Sequence, residues 1–144
     1  MAASAAIPMP DSAGEELTTL RLYLMRAMYA LIGIAEGINV APALFQHEPI
    51  ARGVIPSLLV AMCLLDLIGI RYPRRMLPLL LFEFVWKTLW VAFFGYQQWS
   101  SGNMPPTFAE DFPAITAGVI IMPLIIPWGY VWRHYVTAPG DRWR

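Results

Sequence analysis

Residues 76–96, MLPLLLFEFVWKTLWVAFFGY, form an apolar stretch with two charged side chains near its centre. The stretch is long enough to cross the hydrocarbon core of a bilayer, which takes about 20 residues in a helix. Because charge inside an apolar span is costly, Glu83 and Lys87 each require a partner or a functional role. These residues therefore predict a transmembrane helix that carries a buried charged pair.

The whole chain has the composition of a membrane protein. It has 144 residues, of which 58% are hydrophobic and 14% are charged, whereas a soluble domain has about 25% charged residues. A soluble chain of this length would need a polar surface, because most of its residues lie near that surface. Ten acids and ten bases are too few to supply it.

The apolar residues fall in four blocks, separated by polar residues and helix breakers. We predict membrane spans at about residues 17–40, 54–70, 76–98 and 112–136. The fold predicted is all-α, an antiparallel bundle of four transmembrane helices. The membrane domain covers residues 15–136, between an N-terminal tail of residues 1–14 and a C-terminal tail of residues 137–144.

The fourth predicted span carries two prolines, Pro123 and Pro127. A proline inside a helix removes a hydrogen bond and bends the chain. Membrane helices tolerate this where neighbouring groups satisfy the freed carbonyls. We therefore expect the fourth helix to be kinked but to continue to residue 136.

The arginines are distributed unevenly between the two sides of the predicted bundle. Four spans place both termini and the second loop, RYPRR, on the same side. The arginines on that side are Arg21, Arg71, Arg74, Arg75, Arg133, Arg142 and Arg144. The opposite side has only Arg52. By the positive-inside rule both termini are cytoplasmic, and the pattern fits a multi-pass protein of a bacterial inner membrane.

Apart from Arg21, Arg133 and His134 near the span ends, five ionisable residues lie inside the predicted spans: Arg26, Glu36, Asp66, Glu83 and Lys87. At about 1.5 Å per residue, Arg26, Asp66 and Glu83 fall at a similar depth, roughly 6–10 Å from the cytoplasmic edge. One interpretation is structural, since Glu83 and Lys87 share a helix face. Arg26 would then pair with Asp66 between helices. Glu36 has no evident basic partner and is expected to lie alone toward the outer side.

The other interpretation is that these residues line a polar cavity, because ionisable groups inside a membrane often mark a substrate, ion or proton path. Trp86 and Trp90 place aromatic faces beside Glu83 and Lys87, which suits a flat or cationic apolar ligand. The candidate ligand-binding residues are Glu83, Lys87, Trp86, Trp90, Asp66, Arg26 and Glu36. No catalytic residue is assigned, and both interpretations are kept at this point.

Several kinds of site are excluded. Cys63 is the only cysteine, which excludes an intrachain disulfide, a CxxC pair and a thiolate metal cluster. His47 lies in an outer loop and His134 at the inner end of the fourth span, so they form neither a bis-histidine haem site nor a zinc site. The sequence has no P-loop, nucleophile elbow or HExxH motif. We predict no metal, no cofactor and, because the bases flank spans, no nucleic-acid partner.

The segment Leu20–Asn39, LRLYLMRAMYALIGIAEGIN, is similar to the first helix of the DoxX-like family of small four-helix membrane proteins. The shared features are an arginine-containing apolar run with a glycine near its middle, the chain length and the four-span plan. The resemblance implies a link to membrane redox or quinone-linked processes, and it assigns no catalytic residue.

At fold level only, the chain is also similar to EXPERA-type sterol- and ligand-binding proteins. Those place acids and tryptophans around an intramembrane cavity, as Glu36, Asp66, Glu83, Trp86 and Trp90 would here.

Three functions follow from these patterns. We favour a non-enzymatic accessory subunit or binder of an apolar small molecule, in which Glu83 and Lys87 fix the bundle. The alternative is an enzyme or carrier for a quinone or sterol-like lipid, with Glu83 or Asp66 as the acid–base group. The third is a proton or ion conductor that uses the buried charges. The expected partners are the lipid bilayer, an apolar small molecule, and a larger membrane complex or a second copy of the chain.

Overall fold

The computed structural model describes residues 17–45 and 50–139. The predicted N-terminal tail, His47, Arg142 and Arg144 lie outside these ranges. Within them every regular element is helical, and four helices are long and apolar enough to cross a membrane. The chain is therefore an all-α membrane protein, as its hydropathy predicted.

The four long helices correspond to the four predicted spans, with different ends. They are α1 (Thr19–Phe45), α2 (Ile50–Arg71), α3 (Leu77–Ser101) and α4 (Pro106–Ile125). A short helix, α5 (Trp128–Val131), follows and continues into a π-helical turn at Trp132–Val136. Pro78 stands in the first turn of α3, where its missing N–H removes no helix hydrogen bond.

The fourth span is broken, and the prediction of one helix to residue 136 is wrong. α4 ends at Ile125, and Ile126 adopts an extended conformation with φ −60° and ψ 126°, because a residue before proline disfavours the helical region. Pro127 has no N–H to offer the carbonyl of Pro123. The indole Nε1 of Trp128 donates to that carbonyl instead, at 2.9 Å. The break therefore leaves no unsatisfied carbonyl at Pro123.

α1 changes its helical type along its length. Its first part, Thr19–Ala30, is α-helical, and the next segment, Leu31–Glu36, is π-helical. A π-helical segment adds a residue to the turn and so shifts the side chains that follow it around the helix axis. Glu36 stands at the end of this segment, and its direction therefore depends on the irregularity.

The helices pack as two close pairs, α1 with α2 and α3 with α4. α1 and α4 touch less, and chiefly near the start of α1, where a buried apolar core forms. That core consists of Met25, Met28, Tyr29, Ile32, Leu77, Leu80, Met122, Ile125 and Ile126. The outer faces of the helices remain apolar and exposed, as at Leu31, Leu65 and Phe93. Such a surface is one that a bilayer covers.

One end of the bundle collects basic side chains. The Arg21 guanidinium donates to the carbonyls of Ile125, at 3.3 Å, and Ile126, at 3.4 Å, which ties the start of α1 to the end of α4. The Tyr29 hydroxyl donates to the Pro73 carbonyl at 3.4 Å, which places the turn between α2 and α3 at the same end. We call this the arginine end, defined by Arg21, Arg26, Arg71, Arg74 and Arg75.

Candidate functional site

A buried charged cluster joins α1 to α3. The Lys87 ammonium donates to Glu83 Oε2, one turn earlier in α3, and lies 3.3 Å from Glu36 Oε1 of α1. Glu83 is fully buried and Lys87 is 4% exposed. The predicted Glu83–Lys87 pair is confirmed. The expectation that Glu36 stands alone is wrong, because the long Lys87 side chain bridges the two helices.

Trp86 belongs to this cluster as the sequence suggested. Its indole Nε1 donates to Glu83 Oε2 at 2.9 Å, and its ring lies 4.4 Å from the Lys87 ammonium. Trp90 does not join it. The Trp90 ring stacks on Phe108 of α4, with the centroids 4.7 Å apart, and so fixes the contact between α3 and α4.

Gly118 of α4 makes room for the lysine. A Cβ added at Gly118 would come 3.0 Å from Lys87 Cδ and 3.4 Å from Cε. Any larger residue at this position would therefore push against the stem of Lys87. Gly118 was not predicted as part of the site, because it stands among other small residues, Ala114 and Ala117, and nothing in the sequence distinguishes it from them.

Asp66 is the isolated acid of the site. It is fully buried on α2, and neither of its carboxyl oxygens has a hydrogen-bond partner among the described residues. It faces Gly33 of α1, where an added Cβ would come 3.1 Å from Asp66 Cβ. The Oε1 atom of Glu83 likewise has no hydrogen-bond partner among the described residues.

Arg26 does not reach Asp66, so the predicted ion pair between them is wrong. The guanidinium Cζ of Arg26 lies 5.3 Å from the centroid of the Tyr23 ring, and Arg26 faces the turn between α2 and α3. Between the levels of Arg26 and Asp66, the buried Tyr29 ring packs on Gly69. Arg26 instead extends toward the end of the bundle, as long basic side chains do at membrane interfaces.

The cluster carries more acid than base. Lys87 contacts two acids, Glu36 and Glu83, and the nearby acid Asp66 has no hydrogen-bond partner among the described residues. An unpaired carboxylate in a low-dielectric interior is costly. The arrangement can therefore accept a proton, a hydrogen-bond donor or a cationic group from outside the protein.

A cavity of about 290 Å³ lies between α1 and α4, with Glu36 and Lys87 at its polar end. Small residues create it, because Ala35, Ala114 and Ala117 leave space that larger side chains would fill. Leu31 and Ile121 form its outer edge and are 60% and 44% exposed, so the cavity opens at the lipid-facing side of the bundle. Of the seven predicted ligand-binding residues only Glu36 and Lys87 line it, and the other five do not: Glu83, Asp66, Arg26, Trp86 and Trp90.

Among the residues that the structure describes, no group of three or more histidine, cysteine, aspartate or glutamate side chains is placed to hold a metal ion. The polar groups of the site are acids, one lysine and the amide of Asn39, and its walls are apolar. A scan against protein-family models, a search of curated proteins and a search of solved structures each found no match.

Proposed function

We propose that this protein binds an apolar small molecule from the bilayer, in the cavity between α1 and α4, and does not transform it. The observation that supports the proposal is an apolar cavity with one polar end, formed by Glu36 and Lys87. Small-molecule sites in proteins are mostly apolar, with a few polar groups that orient the ligand. The opening toward the lipid-facing side supplies an entry path for a molecule dissolved in the membrane.

The size of the cavity narrows the class of ligand. Its volume of about 290 Å³ is at the lower limit of the ~300–1,000 Å³ range for ligand sites. Such a volume accepts one ring-sized head group, and a long apolar tail would extend past Leu31 and Ile121 into the lipid. We therefore propose a ligand with a compact polar ring and an apolar tail, of which a quinone is the chemical type.

The polar end of the cavity agrees with this class. The Lys87 ammonium is a hydrogen-bond donor, suited to a carbonyl oxygen of the ligand. The Glu36 carboxylate is an acceptor whose side chain is 33% exposed, suited to a ligand hydroxyl. We include in the proposal a DoxX-like accessory role in a membrane redox complex, on the resemblance of residues 20–39 to that family.

A second candidate is an enzyme or carrier that uses an intramembrane carboxyl as acid and base. The unpartnered oxygens of Asp66 and Glu83 favour it, since such groups often have perturbed proton affinity and act in catalysis. Neither residue lines the cavity, however, so a proton would have to pass through Lys87 or Glu36. Binding without conversion therefore ranks first.

We also propose that both termini are cytoplasmic and that the membrane is a bacterial inner membrane. The gathering of arginines at one end of the bundle supports the orientation. A reporter enzyme fused after residue 144, active only on the cytoplasmic side, tests it. Loss of that activity, together with activity of a second fusion at the same position to a reporter that works only on the external side, would overturn the orientation.

The binding proposal is tested by gentle purification followed by native mass spectrometry and extraction of bound lipids. We expect a retained quinone or sterol-like lipid, and its loss in the cavity-filling variant Ala117→Phe. The matched control is Ala61→Phe, on the outer face of α2, which should keep the ligand. If the wild-type protein carries only bulk phospholipid, the proposal is overturned, whereas a co-purifying larger complex would support the accessory role.

A further inference from the structure

A second cavity lies at the arginine end, away from the charged cluster. It has a volume of about 230 Å³ and is lined by Leu22, Arg26, Tyr72, Pro73, Arg74 and Arg75. α1 supplies the first two of these residues and the turn between α2 and α3 supplies the others. Three arginines therefore line one small space.

Among the residues that the structure describes, no acidic side chain pairs with the arginines of this cavity. None of the lining residues is acidic, and within residues 17–45 and 50–139 the salt bridges found join Lys87 to Glu36 and Glu83 only. Arg26 lies over the Tyr23 ring, and Arg75 lies over the Tyr72 ring at 5.8 Å from its centroid. Such cation–π contacts stabilise a guanidinium but leave its charge in place.

The cavity stands at the boundary between the apolar core and the end of the bundle. Arg26 is half-buried, and its helix neighbours Met25 and Tyr29 are fully buried. On the other side the turn exposes Arg74 and Arg75. In a membrane that covers the apolar helix faces, this level is the one at which lipid head groups lie.

We propose that this cavity binds the phosphate of an anionic phospholipid. Guanidinium groups bind phosphate oxygens through paired, charge-assisted hydrogen bonds, and basic pockets between transmembrane helices hold lipid head groups. The phosphate supplies a negative charge that no residue lining the cavity carries. The volume holds a phosphodiester group, while Leu22 offers apolar surface to an acyl chain. This site is independent of the cavity between α1 and α4.

The test adds lipid to delipidated full-length protein in a neutral detergent and reads bound lipid by native mass spectrometry. Phosphatidylglycerol is compared with zwitterionic phosphatidylcholine, and inorganic phosphate is added as a competitor. Both lipids carry the phosphodiester, but the arginines repel the choline ammonium of phosphatidylcholine, so we expect phosphatidylglycerol to bind about tenfold more tightly. The preference should weaken as salt is raised. Equal binding of the two lipids would overturn the proposal, and full competition by millimolar phosphate would assign the cavity to the free ion.

The variants are Arg26→Gln and the double variant Arg74→Gln with Arg75→Gln. Each should reduce phosphatidylglycerol binding by about tenfold, and Arg26→Lys should retain part of it because the charge is kept. Arg133→Gln, at the same end but outside the cavity, is the matched control. If Arg26→Gln fails to fold, the double variant decides, since its two residues are exposed on the turn. Unchanged binding in the double variant would overturn the proposal.

Discussion

The stem of Lys87 lies directly against Gly118, where even a methyl group on the glycine would come 3.0 Å from Lys87 Cδ. The contact sets the path by which Lys87, from α3, reaches Glu36 of α1 at 3.3 Å. α4 therefore positions a charged contact between two other helices while contributing no polar atom to it. The cavity wall and the charged cluster meet at this one glycine.

The variant Gly118→Leu should displace Lys87 and break its contact with Glu36. We expect a loss of about 1–3 kcal/mol in the free energy of unfolding, the usual result of overpacking a buried site. Thermal unfolding in detergent measures it. The matched control is Gly53→Leu, because a Cβ at Gly53 has nothing within 4 Å. Equal melting temperatures for the two variants would show that Lys87 is free to take another path.

Replacing Lys87 should lower the free energy of unfolding more than replacing Glu83, one of the two acids that Lys87 contacts. Lys87→Met leaves Glu83 and Glu36 without their partner, and breaking a buried ion pair costs about 3–5 kcal/mol. Glu83→Gln should cost less, because Lys87 keeps Glu36 at 3.3 Å. The double variant Glu83→Gln with Lys87→Met should recover much of the loss of Lys87→Met. Chemical or thermal unfolding of the three proteins tests this order, and a greater loss for Glu83→Gln alone would contradict it.

Contacts within a single helix could be predicted from the sequence, whereas contacts between helices could not. The Glu83–Lys87 pair follows from a spacing of four residues within a regular helix, so it needed no knowledge of the fold. The Glu36–Lys87 contact depends on the rotation of α1, which the π-helical segment Leu31–Glu36 changes. Nothing in the local residue pattern marks that segment. The spans themselves were predictable because the length of an apolar run is fixed by the bilayer.

The Arg26–Asp66 pairing failed for a related reason. The prediction compared the depths of the two Cα atoms along ideal helices. A long arginine side chain, however, extends toward water and places its charge far from the level of its own Cα atom. The Tyr29 ring, which packs on Gly69, takes the space between the two levels. The cavities were not predictable either, because they depend on which small residues face each other across the bundle.

Tyr29 and Gly69 provide a test of the α1–α2 contact. A Cβ at Gly69 would come 2.5 Å from the Tyr29 ring, and Tyr29 is fully buried. Gly69→Ala should therefore destabilise the protein by about 1–3 kcal/mol. Tyr29→Leu removes the ring. In the Tyr29→Leu background, Gly69→Ala should therefore lower the free energy of unfolding much less than it does in the wild-type protein. A double-mutant cycle of thermal unfolding measures this coupling, and additive effects would contradict the contact.

Asp66 and Glu83 are both fully buried acids. We expect leucine to affect the stability of the protein differently at the two positions. Asp66 has no hydrogen-bond partner among the described residues, so Asp66→Leu should leave stability unchanged or raise it by about 1–3 kcal/mol, the cost of an unsatisfied buried group. Glu83 pairs with Lys87 and accepts a hydrogen bond from Trp86, so Glu83→Leu should lower the melting temperature. Both variants are compared in one detergent, with retained ligand measured by mass spectrometry.

A large loss of stability in Asp66→Leu would reveal a partner for this carboxyl. Full stability with loss of the ligand would instead assign Asp66 to the binding site and favour the acid–base candidate.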